Sequence, residues 1–356
     1  MTVVVVIKFL EMKKIIWTIF AIAALILSSC SNKVNLYNDE GTTTIVYAML
    51  DAAADTNFFK ITKSFIGNAS ELAQNYDANN YKYDEIDVTF SGVFEGSSSV
   101  QTIALDTISK WIPYDPEATF YSGCWQRYYY TTKKLIEGKE YTLNIVRKED
   151  NVNISAKTTT INSFIYQKPV SSVPITFTDV TTSTANVEWR VKEAPYLSTA
   201  KYFEVTGYFR YKELMPGATD TVLRSIKWSL GSGRAENLYN TSTNLPYYVI
   251  SYTPSALFTI LGADEHLKNN SPAGVQRWFE KFEFDISAIG EDLYNYYLVS
   301  NSTSAIQDVP NYTNVENGMG IMSARVTKSL PLEISVKTKN KIHDKFENYG
   351  FPYTYQ

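Results

Sequence analysis

Residues 84–96 read DEIDVTFSGVFEG. Ile86, Val88 and Phe90 alternate with Asp87, Thr89 and Ser91, the period-two pattern of a strand with one buried and one wet face. The pattern repeats on either side: TTTIVYAML (42–50), NFFKITKSFI (57–66), KEYTLNIVRKED (139–150) and VNISAKTTTI (152–161). About seven such short runs before residue 165 predict an immunoglobulin-like sandwich. A break follows at Asn162–Pro174, where Pro169 and Pro174 interrupt ladder bonding and serines suit a connector. A second series begins with TANVEWRV (184–191), which sends Ala185, Val187, Trp189 and Val191 to one face. It continues through KYFEVTGYFRYKEL (201–214), TDTVLRSIKWSL (219–230), LPYYVISYTPSALFTIL (245–261) and WFEKFEFDISAI (278–289). The expectation is a mainly β protein of two immunoglobulin-like β-sandwich domains, 42–165 and 170–356, with one or two short helices. Helical patterning lies at Gly67–Tyr81 and at Gly290–Ser304, and the charged, aromatic end 339–356 reads either as loosely ordered or as a packed terminal strap. The 27 tyrosines and 18 phenylalanines, with many Thr, Val and Ile, are strand composition.

The N-terminal part reads differently. From Met12 the chain runs MKKIIWTIFAIAALILSSCSNK: a positive start at Lys13 and Lys14, an apolar run Ile15–Leu27, then small residues. That is a secretory signal peptide spanning residues 1–29, with an apolar run shorter than the roughly 20 residues of a membrane span. Residues 1–11 add a second apolar run and Glu11 ahead of the lysines, and read as a mis-called start. Leu27-Ser28-Ser29-Cys30 resembles the lipobox of bacterial lipoproteins. The resemblance implies cleavage before Cys30 and lipidation of Cys30, with residues 30–41 as a tether. Acyl chains gain about 0.8 kcal/mol per buried methylene, so several chains anchor firmly where one does not. Only Cys124 then remains, and one thiol forms no intramolecular disulfide. Residues 1–29 hold three lysines against one glutamate, so a chain at −4 becomes −6 without them. No basic face for nucleic acid follows from such a balance.

No catalytic residue, metal site or cofactor is expected. His266 and His343 have no second histidine or cysteine at ligand spacing, and both read as surface residues. There is no G-x-S-x-G elbow and no calcium-loop pattern. Asp84, Glu85 and Asp87 lie on a strand whose wet face takes Glu85 and Asp87. The aromatic stretch 109–132, SKWIPYDPEATFYSGCWQRYYYTT, is the stronger functional signal. Proline and glycine make Ile112–Gly123 a long loop, and long loops in compact domains carry function. Trp111, Tyr114, Tyr121, Trp125, Arg127 and Tyr129 are the candidate ligand-binding residues, the rings against sugar or peptide and Arg127 as hydrogen-bond donor; the alternative is that these rings fill the seam between the sandwich and its loop.

Two stretches, TTTIVYAMLDAAADTNFFKITKSFIGNA (42–69) and LYNYYLVSNSTSAIQDVPNYTNVENGMGIMSARV (293–326), resemble uncharacterised outer-membrane lipoproteins of Bacteroidetes. The second carries an N-x-x-N-G-x-G-I segment, here Asn314, Asn317, Gly318, Gly320 and Ile321, read from its residues as a turn followed by a close backbone approach. Such proteins are often encoded beside TonB-dependent receptors. The resemblance implies a lipid-anchored outer-membrane location, in the periplasmic or the surface leaflet. The expected function is non-catalytic accessory binding, capturing a glycan or peptide with a TonB-dependent receptor. The alternative is a structural or adhesive, fimbria-related subunit.

Overall fold

A computed structural model of the chain describes residues 43–64, 85–113, 123–194, 196–300 and 312–355. The protein is mainly β, with seventeen strands and five short helices among the described residues. The helical insertion expected at Gly67–Tyr81 lies outside them, as do the signal segment, the tether and Cys30.

The strands form three sheets, and one eight-stranded sheet supplies a layer to each of two sandwiches. In the first, β1 (Thr44–Leu50), β2 (Asn57–Lys63), β5 (Asp106–Ile112) and β6 (Cys124–Thr131) make one layer, in the order β1-β2-β6-β5. The facing layer runs β16 (Val315–Glu316), β8 (Asn153–Thr159), β7 (Glu140–Arg147), β3 (Ile86–Gly92), β4 (Gln101–Ala104). Val88 and Phe90 point inward as their alternation requires, and Phe90 meets Phe59 of the other layer at 5.0 Å and stacks on Tyr141 at 5.3 Å. The Tyr141 hydroxyl donates to the Val93 carbonyl at 2.6 Å and accepts from the Ile136 amide at 2.7 Å, so its polar end is satisfied inside the core.

The second sandwich sets β12 (Val222–Arg234), β11 (Tyr202–Leu214), β15 (Gln276–Ile289) and β17 (Met319–Leu332) against β13 (Tyr239–Asn240), β14 (Tyr247–Tyr252), β10 (Ala185–Val191) and β9 (Phe164–Lys168). Val187, Trp189 and Val191 are buried. Trp189 packs on Phe203 at 5.1 Å and on Tyr248 at 5.9 Å, and each such fully buried apolar ring contributes roughly 2–3 kcal/mol.

The boundary expected near residues 165–170 does not separate the sheets. Residues 319–324 of β17 pair in parallel with β1, and residues 325–332 pair antiparallel with β15. One strand therefore belongs to both sandwiches, and β16 closes the first sandwich against β8. Parallel partners need a crossover, here almost the whole chain, and side-chain alternation carries no trace of it. The described residues from 43 to 355 form one compact unit, with one apolar core through both sandwiches and a small second cluster of Ile289, Leu293 and Ile321.

Three local differences follow from weak signals. The expected connector contains β9, whose Tyr166 hydroxyl lies 2.8 Å from the carbonyls of both Phe284 and Lys328 and fastens the strand onto β15 and β17. The stretch read as strand through residue 261 is β14 and then α2 (Ala256–Ala263), after α1 (Ala235–Leu238). A short apolar run such as ALFTIL fits either element, and Pro254 opens the helix. The polar stretch after it is α3 (Glu265–Asn269). The expected helix at 290–304 is α4 (Glu291–Ser300), with Leu293 buried.

The C-terminal end is a packed strap. Ser335 caps α5 (Val336–Lys345) by accepting from the Thr338 amide at 3.3 Å. Phe351 is buried against Phe279, Tyr211 and Phe209 at 4.9, 5.5 and 5.9 Å.

Candidate functional site

The β5–β6 hairpin carries the aromatic cluster. β2 pairs with β6 only from Phe59↔Tyr129 to Asn57↔Thr131, whereas β5 stays with β6 as far as Ile112↔Cys124. Beyond Tyr129 the hairpin therefore separates from β2. Lys110 bridges the separation on the outer face, its Nζ 3.5 Å from the centre of the Phe58 ring and 5.9 Å from that of Tyr128.

Trp111 and Trp125 sit directly opposite each other on the separated part. They are 51% and 62% exposed, with ring centres 5.7 Å apart and planes at 65°. One ring thus offers a face where the other offers an edge, and the coplanar platform expected of a sugar-binding loop is not formed by these two alone. Two exposed indoles side by side form an apolar patch of the kind that marks an interaction surface. Arg127 is half-buried and hydrogen-bonds the Tyr129 hydroxyl. Tyr129 itself is buried; burial pushes its phenol above the usual value, and the neighbouring Arg127 charge partly offsets this. It belongs to the core, not to a ligand surface. Strand alternation instead turns Tyr128 and Tyr130 outward, where Phe58 meets them at 6.4 and 6.1 Å. Tyr114 and Tyr121 lie outside the described residues.

A second concavity lies where the two sandwiches meet. It has two lobes of about 540 and 500 Å³ that share Thr199, Glu291 and Asn295. The first lobe is walled by Tyr239, Arg234 and Lys201, the second by Glu140, Asp292 and Tyr312. Such junctions are favoured places for ligand sites. No single sequence motif points to it, because its walls come from β7, β8, the loop before β11, the end of β12 with α1, β13, β14 and the start of α4. Asp292 accepts from the Tyr312 hydroxyl at 2.9 Å and from Thr158 at 3.5 Å. Burial raises its carboxyl above the usual value, more than these bonds lower it. A carboxylate whose folded value is raised costs stability above that value, and the cost disappears as pH falls through it. Asp292→Asn is therefore expected to leave the melting temperature unchanged or higher at pH 7. Its difference from wild type should shrink toward pH 4, as thermal scans at both pH values would show.

The histidines are structural rather than free surface groups. His266 Nε2 lies 2.9 Å from both carboxylate oxygens of Glu213, and its Nδ1 lies 3.3 Å from the Asn270 amide. His343 Nδ1 donates to the Phe351 carbonyl at 2.8 Å, pinning the strap. No group of three or more His, Cys, Asp or Glu side chains placed to hold a metal occurs among the described residues. Asp87 pairs with Lys148 at 3.0 Å on the wet strand face, as its position implied. Asn317 has a φ of 56°, and Gly318 and Gly320 abut the backbone of β1, so the N-x-x-N-G-x-G-I segment is a turn and a strand contact. No helix among the described residues is long and apolar enough to cross a membrane. No protein-family model and no curated protein matches the chain.

Proposed function

We propose that the chain is a non-catalytic accessory binding lipoprotein of the outer membrane, anchored through acylated Cys30, that captures a glycan or peptide on its aromatic hairpin alongside a TonB-dependent receptor. The observation that carries the binding role is the exposed Trp111–Trp125 pair on a hairpin that has separated from its sheet. Indoles at a binding surface act as anchors, and losing one typically costs 2 kcal/mol or more, about thirtyfold in affinity. The anchor reading rests on Leu27–Cys30.

Screening the mature protein against glycan and peptide arrays, with Trp125→Ala beside wild type, tests the binding role. The expected result is a defined ligand set whose signal falls at least tenfold in the variant, with an unchanged melting temperature because the indole is exposed. Identical profiles would remove the hairpin from the reading. Mass spectrometry tests the anchor separately: an acyl mass on Cys30 is expected, and an unmodified chain would overturn it.

A structural or adhesive subunit is the second reading. It is favoured by β5, which among the described residues is an edge strand with no neighbour on its far side, the kind of edge that strand addition uses.

A further inference from the structure

The junction cleft is independent of the hairpin and has a charge pattern of its own. Its second lobe sets three carboxylates, Glu140, Glu291 and Asp292, against Lys157, with Lys201 of the first lobe 3.9 Å from Glu291. Asp292 is held in place by Tyr312 and Thr158, which use two of the roughly four acceptor positions on its carboxylate. The first lobe is built rigidly. Tyr294 is stacked on Tyr202 at 5.0 Å with planes at 23°, and the Arg234 guanidinium lies 5.4 Å over its ring while donating to its hydroxyl at 2.8 Å. Tyr294 is thus held by both neighbours, and Tyr239, packed at 5.0 Å on the buried Tyr248, is the other half-buried ring of this lobe. Between the lobes stand Thr199, whose hydroxyl is taken up by Thr160 and Asn162, and Asn295, whose amide can both donate and accept.

We propose that this cleft binds a short saccharide bearing a free amino group, its ammonium among Asp292, Glu291 and Glu140 and a sugar ring against Tyr239. An ammonium supplies three donors to carboxylates that have acceptor capacity left. Sugar hydroxyls, being donors and acceptors at once, match the Asn295 amide and the exposed Thr159 on that wall. The fixed Tyr202–Tyr294–Arg234 stack keeps the walls apart before a ligand arrives, so little ordering cost is left for binding.

Isothermal titration of the mature chain with three probes decides the matter: a glucosamine trimer with free amines, its fully N-acetylated counterpart, and the tripeptide Gly-Lys-Gly. The free-amine trimer is expected to bind at least tenfold tighter than the other two. Asp292→Asn should abolish that preference while leaving the fold intact, and Tyr239→Ala should weaken the trimer several-fold. Trp125→Ala should leave the preference for the free-amine trimer in place, which separates this site from the hairpin. The proposal is overturned by equal affinity for the two trimers, by no saturable uptake, or by tighter binding of the peptide. It also fails if Asp292→Asn keeps the preference or Trp125→Ala removes it.

Discussion

Arg277→Ala is expected to destabilise the protein by roughly 3–5 kcal/mol, because it strands a buried carboxylate. Arg277 and Glu213 are both completely buried, 64 residues apart in sequence, and meet through Nε and Nη2 of the guanidinium at 2.9 and 2.7 Å. The same guanidinium donates to the carbonyls of Tyr349 at 2.5 Å and Asn270 at 2.7 Å and to the Ser271 hydroxyl at 2.8 Å. It therefore ties the terminal strap and the end of α3 to the central sheet. Without it Glu213 keeps only Arg224, at 3.1 Å, and His266. Replacing both partners, as in Glu213→Leu/Arg277→Met, should cost clearly less than the sum of the single changes, since an apolar pair removes both charges. It should still cost something, because the Tyr349 and Asn270 carbonyls lose their donor. Urea unfolding of the four proteins measures this; additive losses would show that the two charges are not coupled.

The same pair sets a pH response. Burial alone would raise the Glu213 carboxyl, but hydrogen bonds from Arg277 and His266 overcome this and hold it below its usual value. A depressed folded value adds stability above the unfolded carboxylate range, and that stability is lost as pH falls through the folded value. The gap between wild type and Glu213→Gln should therefore narrow in acid.

Much of the strand content was legible because alternation reports a wet and a dry face. Val88 with Phe90, and Val187 with Trp189 and Val191, were placed inward by that rule alone, and all are buried. What alternation cannot report is which strand lies beside which. Val46 and Gly320 are neighbours across a parallel ladder, and nothing in either local sequence says so. The candidate site shows the same division. Trp111 and Trp125 stood out as rings beside a long loop. Tyr129 shares their strand face, yet it lies where β2 still covers the sheet, and the point of separation is a tertiary fact. The cleft was invisible for a related reason. Thr158, Thr199, Arg234 and Asp292 are ordinary residues in four separate segments, and only the fold gives them a common wall.

Gly320→Ala is the sharpest test of that long-range tie. Gly320 has a φ of 103°, a region that L-residues rarely enter. An added Cβ would stand 2.1 Å from the Val46 carbonyl oxygen and 2.9 Å from its carbon. Both are backbone atoms of a strand paired on its other side with β2, so no rotamer change relieves the clash. Conformational strain and overpacking each cost about 1–3 kcal/mol, so a loss of roughly 3–5 kcal/mol is expected. Gly217→Ala is the matched control: its φ is 82°, and an added Cβ there meets nothing within 4 Å. That variant should show the conformational part alone, about 1–2 kcal/mol. Amide exchange adds the location. In Gly320→Ala the protection of Ile45–Leu50 should collapse toward that of a frayed edge, while β10 and β11 keep theirs. If the two alanines cost the same and β1 stays protected, the parallel contact between β1 and β17 is not what joins the sandwiches.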